Sequence, residues 1–351
     1  MIDNKEVKDF DETFNKILSA LLAEKSSDEL TEVTNWVKEC IKYNVPHGKR
    51  NRGLTVVTTF RIIAEQQNNN NVSEDDIELA RVLGWCVEFL QAYFLVVDDM
   101  MDQSITRRGQ LCWYKLDYVG LMACNDAILI DQENYHILKL FFKNKNYYLK
   151  LVDLFHEISR YTSYGQCLDT ASKPPNKSPQ FASFSQTRYK NIVKYKTSYY
   201  SFVLPVRLAM YMSGVDDEDE HKNAEEILLK IGHMFQVQDD YLDCYGDSAI
   251  IGKIGTDIEE GKCCWPIIKA FEVSNEKQMA TIKENYGIKD GDCVQKVKEI
   301  YNELNIKDLY HKEEEMQYKD ICKLIDEMKT KSQLNSNIFT DFLAKIYKRQ
   351  K

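Results

Sequence analysis

Apolar side chains recur at the spacing of an α-helix along almost the whole of this 351-residue chain. In the segment DETFNKILSALLAEK, for example, Phe14, Ile17 and Leu18 fall on one helical face. Residues 75–102 are apolar around most of the helix circumference, which predicts a long helix buried on nearly all sides. Because only 14 glycines and 6 prolines interrupt these runs, long helices are favoured over turn-rich β structure.

Short polar stretches, not flexible linkers, separate the predicted helices. Residues 65–76 are a low-complexity loop in which Ser73 is placed to cap the following helix. Residues 172–179, which contain prolines, and residues 213–223 are further loops, and residues 184–212 continue the helical pattern. The sequence shows no internal repeat and no sustained alternation of a β-strand. We therefore expect an all-α protein in which residues 1–351 form one large domain.

Charge and cysteine content exclude several classes of protein. The formal net charge of -9 argues against a general nucleic-acid-binding protein. The N-terminal residues contain no apolar signal region, and no run of about 18 apolar residues predicts a membrane span. The ten cysteines include no CxxC pair, so we expect a cytoplasmic protein with reduced cysteines, among them Cys86 and Cys167 in the core.

The motif Asp-Asp-x-x-Asp occurs twice, each time near the end of an apolar helical segment. The first copy lies in FLVVDDMMD (94–102) and the second in FQVQDDYLD (235–243). Side chains at positions i and i+4 of a helix lie on one face, so the first and last aspartates of each copy project together. Carboxylates without histidine or cysteine favour Mg²⁺, which completes its coordination with water and phosphate oxygens. One copy alone would equally suit a solvated helix face, but two copies favour metal binding. The six aspartates are Asp98, Asp99, Asp102, Asp239, Asp240 and Asp243, and Asp257 is placed to add another oxygen.

Basic residues form a second group of candidates. Arg107 and Arg108 follow the first motif, and guanidinium groups suit phosphate oxygens. The segment HGKRNRG (47–53) combines cations with glycines that let backbone N–H groups approach an anion. Any one of these charges is more often a surface charge, although Lys196 has apolar neighbours in KTSYYSFVLP (196–205). We expect an acidic site for a Mg²⁺-diphosphate and a purely basic site for a second phosphate group. The other candidate cations are Lys49, Arg50, Arg52, Lys253, Lys262 and the terminal YKRQK.

Together these segments resemble the polyprenyl synthetase family, the short-chain trans-prenyltransferases. The family's first aspartate-rich region resembles DDMMDQSITRRG (98–109), and its second resembles FQVQDDYLDCYGD (235–247) with GKIGTD (252–257). Further similar blocks are GKRNRG (48–53), GQCLD (165–169) and KYKTSYYSFVLP (194–205). The resemblance extends from about residue 10 to the terminal YKRQK, and its motifs in this order are specific to the family.

The resemblance implies a fold and a reaction. The fold is a single all-helical domain with helices around a central cavity, the isoprenoid synthase fold, assembled as a homodimer. The reaction is the Mg²⁺-dependent, head-to-tail condensation of isopentenyl diphosphate with dimethylallyl or geranyl diphosphate. Its expected product is farnesyl diphosphate, with some geranylgeranyl diphosphate. Several Mg²⁺ ions, about three per active site, and inhibition by bisphosphonates are also implied.

The resemblance also implies roles for individual residues. The six aspartates would hold Mg²⁺ against the allylic diphosphate, with Asp98 and Asp239 counted as catalytic. Residues that would contact that diphosphate are Arg107, Lys196, Lys253 and Lys262. Residues of the isopentenyl diphosphate site would be Gly48, Lys49, Arg52 and Arg108, with the basic tail closing over them. Polar residues lining the reacting groups would be Gln91, Gln166, Thr197 and Gln236. Lys196, Thr197 and Gln236 would stabilise the allylic cation, and Asp169 matches a carboxylate near the allylic site.

Two positions depart from the family pattern. His47 stands where a second glycine is usual before the loop lysine, so its side chain either narrows the isopentenyl site or faces solvent. Tyr93 stands where phenylalanine is usual, next to Phe94. Phe94 precedes Asp98 by one helical turn, about 5.4 Å. We therefore expect Tyr93 and Phe94 to form a floor that limits product length, with plain core packing as the alternative.

Three other interpretations use the same features. Class I terpene cyclases also ionise prenyl diphosphates with such a helix, but they need no second, metal-free phosphate site. A non-catalytic prenyltransferase subunit is expected to have lost aspartates of the two motifs. A di-iron helical protein is suggested only by two Glu-x-x-His patterns, ENYH (133–136) and EDEH (218–221).

Overall fold

The computed structural model describes residues 4–23, 30–67, 72–175, 177–246 and 255–348, and most of these residues are helical, as predicted. The α-helices are α1 (Asn4–Ala23), α2 (Thr31–Asn44), α3 (Asn51–Gln66), α4 (Glu74–Asp102), α5 (Ala123–Phe142), α6 (Tyr148–Ser172), α7 (Gln186–Ile192), α8 (Leu204–Met212), α9 (Glu218–Tyr245), α10 (Asp257–Glu260), α11 (Trp265–Val273), α12 (Glu276–Asn285), α13 (Gly291–Glu303), α14 (Ile306–Met328) and α15 (Asn337–Ile346). A π-helical segment, Val193–Val203, joins α7 to α8. Short 3-10 turns occupy Trp113–Lys115, Gly120–Met122 and Phe181–Ser183.

The chain divides into two compact units. The first unit comprises Met1–Ser159 with Val203–Lys222, and the second comprises Arg160–Phe202 with Asn223–Lys351. The expectation of a single domain over residues 1–351 stays a prediction.

Helix α4 is the core of the first unit. Its N-terminus is capped as predicted, because the Ser73 hydroxyl accepts a hydrogen bond from the backbone N–H of Asp76 (3.1 Å). Trp85 and Phe89 are fully buried, and α1, α3, α5 and α8 pack around the helix. Among the described residues, α4 is the helix with the length and hydropathy of a membrane span, and 78% of its most apolar stretch is buried inside the protein. Such burial identifies α4 as a core helix.

A short β-hairpin follows α4, and the sequence did not predict it. Gln103 ends the helix in the left-handed conformation, and β1 (Thr106–Arg107) pairs antiparallel with β2 (Gln110–Leu111). The two turn residues, Arg108 and Gly109, both have positive φ (54° and 80°), the geometry of a type I′ hairpin turn. Strands of two residues contain too little alternation to be recognised in a sequence.

The second unit is built around an aromatic core. Trp265, Tyr286 and Tyr301 are buried in one cluster, and α11 packs against α7 and α14. The single helix expected over residues 184–212 is instead α7, the π-helical segment and α8. Turns of a π-helix contain more residues than those of an α-helix and often occur at functional sites.

Two further sequence predictions were wrong. Residues 213–223 were expected to form a loop, but α9 begins at Glu218 because the Asp217 carboxylate caps its first turn, accepting from the N–H groups of Asp219 (2.9 Å) and Glu220 (3.0 Å). Cys167 is exposed on α6, not buried, whereas Cys86 is buried as expected. All ten cysteines are free in the structure.

Candidate active site

The first aspartate motif ends α4 and lies against the hairpin. Asp99 is only 4% exposed, and the Arg107 guanidinium donates to its Oδ1 from Nε (3.0 Å) and from Nη2. Asp98 is farther from the same guanidinium, with Oδ2 3.8 Å from Nη2. Asp98 and Asp102, one turn apart, are both partly exposed. The structure therefore pairs the middle aspartate with an arginine, while the first and last aspartates reach the surface.

The basic loop between α2 and α3 lies beside the hairpin turn. Gly48 has a φ of +114°, and a Cβ at this position would lie 2.9 Å from Cζ of Arg108. Any side chain at residue 48 would therefore strain the backbone and displace the guanidinium. Lys49 is exposed and Arg52 is partly exposed. The fold thus brings together Gly48 and Arg108, two residues predicted to share the isopentenyl diphosphate site.

His47 borders a small cavity in the same region. The cavity has a volume of about 20 Å³ and is also lined by Asp99, Arg107 and Arg108. This volume has room for about one water molecule. The side chain of His47 is exposed, and its effect on the isopentenyl site stays a prediction.

Three further candidates lie on α4. Gln91 is buried, and its Oε1 has no hydrogen-bond partner in the described part of the chain. A buried carbonyl oxygen without a donor costs free energy, so the position suits a residue that gains its partner when a ligand binds. Tyr93 and Phe94 are half-buried, with their ring centroids 4.7 Å apart. The two rings therefore form one aromatic surface on α4.

In the second unit, a chain of hydrogen bonds leads from the π-helical segment to Asp240. The Thr197 hydroxyl donates to Gln236 Oε1 (3.0 Å), and Gln236 Nε2 donates to Asp240 Oδ1 (2.8 Å). The Tyr189 hydroxyl (2.7 Å) and the backbone N–H of Trp265 (2.8 Å) donate to Asp240 Oδ2. Burial raises the pKa of Asp240, and these donors oppose the rise. The chain fixes the Thr197 hydroxyl relative to the Gln236 amide.

The outer aspartates of the second motif differ from Asp240. Asp239 and Asp243 are partly exposed and lie one turn apart on α9. Asp243 Oδ1 accepts a hydrogen bond from the backbone N–H of Asp257 (3.0 Å). A Cβ at Gly255 would lie 1.7 Å from the Asp243 carbonyl oxygen, so only glycine permits this approach. Gly255 and Asp257 are therefore held beside the motif, where the sequence placed Asp257.

Asp169 joins two of the predicted diphosphate-binding lysines. The carboxylate is buried and accepts from Nζ of Lys196 (2.6 Å) and Nζ of Lys262 (3.5 Å). Burial alone would raise the pKa of Asp169, but the two ammonium groups lower it to about 2. A Cβ at Gly165 would lie 2.0 Å from the backbone nitrogen of Lys196, so α6 and the π-helical segment pack closely. The three charged residues form one ion-paired cluster.

Some predicted residues lie outside the described part of the chain or away from these clusters. Lys253 and residues 349–351 of the basic tail lie outside the described residues. The described part of the tail packs on α14, where Tyr347 stacks on Tyr318 (centroids 4.0 Å apart). Gln166 is half-buried on α6.

Sequence reasoning missed two partners of Asp240. Tyr189 and Trp265 are aromatic residues in apolar surroundings, and their sequence signal is that of core packing. Trp265 moreover bonds through its backbone, which no side-chain pattern reveals. Only the tertiary fold places these two donors at the aspartate.

The donor chemistry of the motifs suits Mg²⁺. In each motif the first and last aspartates offer carboxylate oxygens on one helical face. The described residues contain no group of three or more His, Cys, Asp or Glu side chains that could enclose a metal ion. Mg²⁺ commonly uses one or two protein carboxylates and takes its other ligands from water and phosphate. A catalytic Zn²⁺ would need three protein ligands, which these pairs do not offer.

The Glu-x-x-His patterns do not suit iron. The ring nitrogens of His221 are both used, since Nε2 lies 2.9 Å from the Val215 carbonyl oxygen and Nδ1 lies 3.2 Å from Nε of Arg207. Glu133 is buried on α5, and no metal-binding group surrounds it in the described ranges. The di-iron interpretation therefore has no ligand set in this part of the chain.

Comparison with known proteins identifies the class. The family model described as polyprenyl synthetase matches residues 34–304, and the chain belongs to this family. The farnesyl pyrophosphate synthase of Saccharomyces cerevisiae is 43% identical over 100% of both chains, and that of Bos taurus is 44% identical over 99% of this chain and 97% of the relative. A solved structure of T. brucei farnesyl diphosphate synthase, complexed with a bisphosphonate, matches with a TM-score of 0.90 at 31% identity and covers 98% of this chain and 99% of that chain. The predicted family and its all-α isoprenoid synthase fold are confirmed.

Proposed function

We propose that the chain is a prenyltransferase that condenses isopentenyl diphosphate head to tail with dimethylallyl or geranyl diphosphate to give farnesyl diphosphate. Relatives with 42% to 45% identity over nearly their full length bear the name farnesyl pyrophosphate synthase. The observation that carries the proposal is the repeated pair of surface-reaching aspartates on two helices, Asp98 with Asp102 and Asp239 with Asp243.

The four surface-reaching aspartates are the proposed Mg²⁺ ligands. When bound, Mg²⁺ supplies the positive charge that neutralises the leaving diphosphate. Asp99 and Asp240 were also predicted as ligands, but each already accepts several hydrogen bonds within the protein. In this proposal they position their donors, above all Arg107 and Gln236, and leave metal binding to the outer aspartates.

Cations bind the allylic diphosphate in this proposal. Arg107 is held by Asp99, and Lys196 and Lys262 are held by Asp169. A side chain that is already ordered loses less conformational freedom when a ligand binds. These cations stabilise the negative charge that develops on the diphosphate as the C–O bond breaks. Lys253 is assigned to the same diphosphate.

Thr197 and Gln236 stabilise the allylic cation. Because the Thr197 hydroxyl donates its hydrogen to Gln236, its oxygen lone pairs remain for positive charge. The apolar surroundings exclude water, which would otherwise capture the cation. The double bond of isopentenyl diphosphate attacks the cation, and the departing diphosphate accepts the proton that is then lost. Gln166 lines the same reacting groups.

Isopentenyl diphosphate binds at a site without metal. Gly48 allows its backbone to approach the phosphate, and Lys49, Arg52 and Arg108 supply the cations. Gln91, whose buried Oε1 has no partner among the described residues, lines the reacting groups. A class I terpene cyclase does not need a second, metal-free phosphate site. The presence of this basic site therefore favours condensation over cyclisation. A non-catalytic subunit is disfavoured because all six aspartates are present.

Tyr93 and Phe94 limit the length of the product. They lie on α4 before the first motif, on the side toward the helix N-terminus, where the prenyl tail points away from its diphosphate. The resulting product is mainly farnesyl diphosphate, with some geranylgeranyl diphosphate because tyrosine replaces the usual phenylalanine.

The same proposal places the enzyme in the cytoplasm as a homodimer. Ten free cysteines suit a reducing compartment. Leu121 is 81% exposed, and Met122 and Ile128 nearby in sequence are also exposed. Apolar side chains exposed close together are typical of a protein–protein interface. A second copy of the chain is the proposed occupant of this surface.

Incubation with Mg²⁺ and defined substrates tests the proposed reaction. Geranyl diphosphate together with isopentenyl diphosphate should yield farnesyl diphosphate by mass spectrometry, whereas geranyl diphosphate alone should yield no hydrocarbon. Cyclic hydrocarbons formed without isopentenyl diphosphate would indicate a cyclase. A folded protein that is inactive with both mixtures would indicate a non-catalytic subunit.

A further inference from the structure

The start of α3 packs backbone to backbone on α4. A Cβ at Gly84 would lie 2.4 Å from the carbonyl oxygen of Gly53, and a Cβ at Gly53 would lie 2.7 Å from the carbonyl oxygen of Gly84. Neither position therefore accommodates a side chain without movement of a helix. This contact places the first turn of α3, directly after the basic loop, at one fixed point on α4.

Glu88 lies one helical turn after Gly84 and contacts the same turn of α3. Its side chain is buried (2% exposed), and Oε1 accepts a hydrogen bond from the backbone N–H of Gly53 (2.8 Å). The first N–H groups of a helix have no partner within the helix. In α3, residue Arg50 at the N-cap position provides no side-chain cap. A carboxylate from another helix supplies the cap instead. A negative charge at a helix N-terminus also interacts favourably with the helix dipole.

The positive charges of three arginines act on Glu88. A buried carboxylate is costly unless cations and donors surround it. Burial raises the pKa of Glu88, while the Gly53 N–H and the charges of Arg52, Arg108 and Arg50 oppose the rise. Arg52 and Arg108 are two cations of the proposed isopentenyl diphosphate site. Glu88 is therefore a buried carboxyl group that bonds the first turn of α3 and is influenced by two cations of that site.

We propose that Glu88 is a positioning residue for the isopentenyl diphosphate site. Its carboxylate fixes the start of α3, and with it Lys49 and Arg52, and it orients the guanidinium of Arg108 against Gly48. The side chain acts through these groups and makes no contact with substrate. The inference rests on the proposed function, because it assumes that this basic loop binds isopentenyl diphosphate.

A structural cap and a positioning residue predict different kinetics. If Glu88 only capped α3, its loss would lower thermal stability and leave the affinity of correctly folded protein for each substrate unchanged. If Glu88 positions the cations, its loss weakens binding of isopentenyl diphosphate specifically. The allylic substrate serves as the internal reference, because its proposed contacts do not include the basic loop.

Two substitutions separate the hydrogen bond from the charge. Glu88→Ala removes both, whereas Glu88→Gln retains an oxygen that accepts from the Gly53 N–H. We expect Glu88→Ala to raise KM for isopentenyl diphosphate at least about tenfold, as for the loss of a charge-assisted hydrogen bond. KM for geranyl diphosphate and kcat should change less than about threefold. Glu88→Gln should give a KM for isopentenyl diphosphate between those of Glu88→Ala and the wild type.

A matched control is Glu78→Gln on the same helix. Glu78 pairs with Lys16 and Thr13, away from the basic loop, and its replacement should leave both KM values unchanged. Thermal melting of all variants measures the structural contribution separately. If Glu88→Ala does not fold, Glu88→Gln still decides the question.

Isothermal titration with isopentenyl diphosphate alone, without allylic substrate, gives a readout besides activity. Weaker binding to the Glu88 variants than to Glu78→Gln supports the inference. Equal binding to all variants, equal changes in both KM values, or tighter binding to Glu88→Gln than to the wild type would overturn it while the proposed function stands. A wild-type protein that does not bind isopentenyl diphosphate would overturn both.

Discussion

Within each aspartate motif, neighbouring residues have different surroundings. Asp99 and Asp240 are buried and hydrogen-bonded inside the protein, whereas the residues immediately before them, Asp98 and Asp239, reach the surface. The pattern Asp-Asp-x-x-Asp therefore combines one structural carboxylate with one pair of outer carboxylates. We expect the same division between structural and surface-reaching carboxylates in any such motif whose middle aspartate accepts a hydrogen bond within the protein.

The basic loop should be specific for one substrate. Lys49→Ala or Arg52→Ala removes one cation from the proposed isopentenyl diphosphate site. Each should raise KM for isopentenyl diphosphate about tenfold, since one charged contact is worth about 1.4 kcal/mol. KM for geranyl diphosphate should stay nearly constant. Steady-state kinetics with each substrate varied in turn provides the measurement.

Lys38→Ala, an exposed lysine on α2, is the control for a general loss of positive charge. It should leave both KM values unchanged. If Lys49→Ala and Arg52→Ala instead raise KM for geranyl diphosphate, the two phosphate sites have been assigned in reverse.

Residues within one motif were predictable from the sequence, and their partners were only partly so. The i, i+4 rule places Asp98 with Asp102 correctly, because it depends on helix geometry alone. The pairing of Asp99 with Arg107 depends on the left-handed residue Gln103 and on a tight hairpin turn, which have little sequence signal. Glu88 was missed because a single glutamate in an apolar run gives no sign of the backbone N–H from which it accepts a hydrogen bond.

Among the secondary-structure elements, the long helices were predictable and their irregularities were not. Helix α4 was recognised because apolar residues cover most of its surface and Ser73 caps it. The π-helical segment Val193–Val203 was predicted as α-helix, since an extra residue per turn does not disturb a sequence that is apolar on most faces. Its backbone packs closely on Gly165 of α6, a tertiary contact that sequence periodicity does not reveal.

Helix α4 should determine product length. Replacing both rings of the floor, with Tyr93→Ala and Phe94→Ala together, opens space for a longer prenyl tail. We expect the main product to change from fifteen carbons to twenty and more, as measured by mass spectrometry with geranyl diphosphate and isopentenyl diphosphate. The variant should stay active, because neither ring contacts a phosphate in the proposal.

Tyr93→Phe keeps the ring and is the matched control. It should keep the fifteen-carbon product as the main one, with less of the twenty-carbon product. A folded and active double variant that still makes only fifteen-carbon product would show that another element limits chain length.

Helix α9 should make stability depend on pH through His233. Burial and the neighbouring Lys190 lower the pKa of His233 from 6.5 to about 4, although Glu313 opposes the shift. Between these values the unfolded chain binds a proton that the folded protein does not, so stability is complete above pH 6.5 and falls as pH falls toward 4. The loss is at most about 3 kcal/mol, from 1.36 kcal/mol per pKa unit.

His233→Gln should flatten this part of the stability curve. Thermal melting at pH 7.5 and at pH 5 should show a smaller difference in Tm for the variant than for the wild type. His311→Gln, an exposed histidine on α14, should keep the wild-type difference. The same pH dependence in all three proteins would assign the loss of stability to other groups.

At the scale of the whole molecule, fold class and family followed from the order of the motifs. Helical periodicity indicated an all-α chain, and the two aspartate regions with the basic loop identified the polyprenyl synthetase family. The division into two compact units was not predicted, because long helices without flexible linkers give no compositional sign of a boundary. Spatial division depends on which helices pack together, and periodicity does not specify that.

The proposed homodimer should depend on the exposed apolar residues at the start of α5. Light scattering after gel filtration should give twice the chain mass for the wild type. Leu121→Glu with Ile128→Glu places two charges in this surface and should shift the mass toward that of one chain. Met316→Glu, at an exposed apolar residue of α14, should remain dimeric. A double variant that is still fully dimeric would place the interface elsewhere.

The most direct test measures the rate of farnesyl diphosphate formation from geranyl and isopentenyl diphosphate after removing one charge from each motif. Asp98→Asn and Asp239→Asn should each lower kcat roughly a thousandfold. Each variant loses a Mg²⁺ ligand, and with it several kcal/mol of transition-state stabilisation. Circular dichroism and Tm should remain those of the wild type, and Asp326→Asn, an exposed aspartate on α14, should keep full activity. Rates near that of the wild type in both Asp98→Asn and Asp239→Asn would contradict the assignment of the two motifs as the metal-binding centre of the reaction.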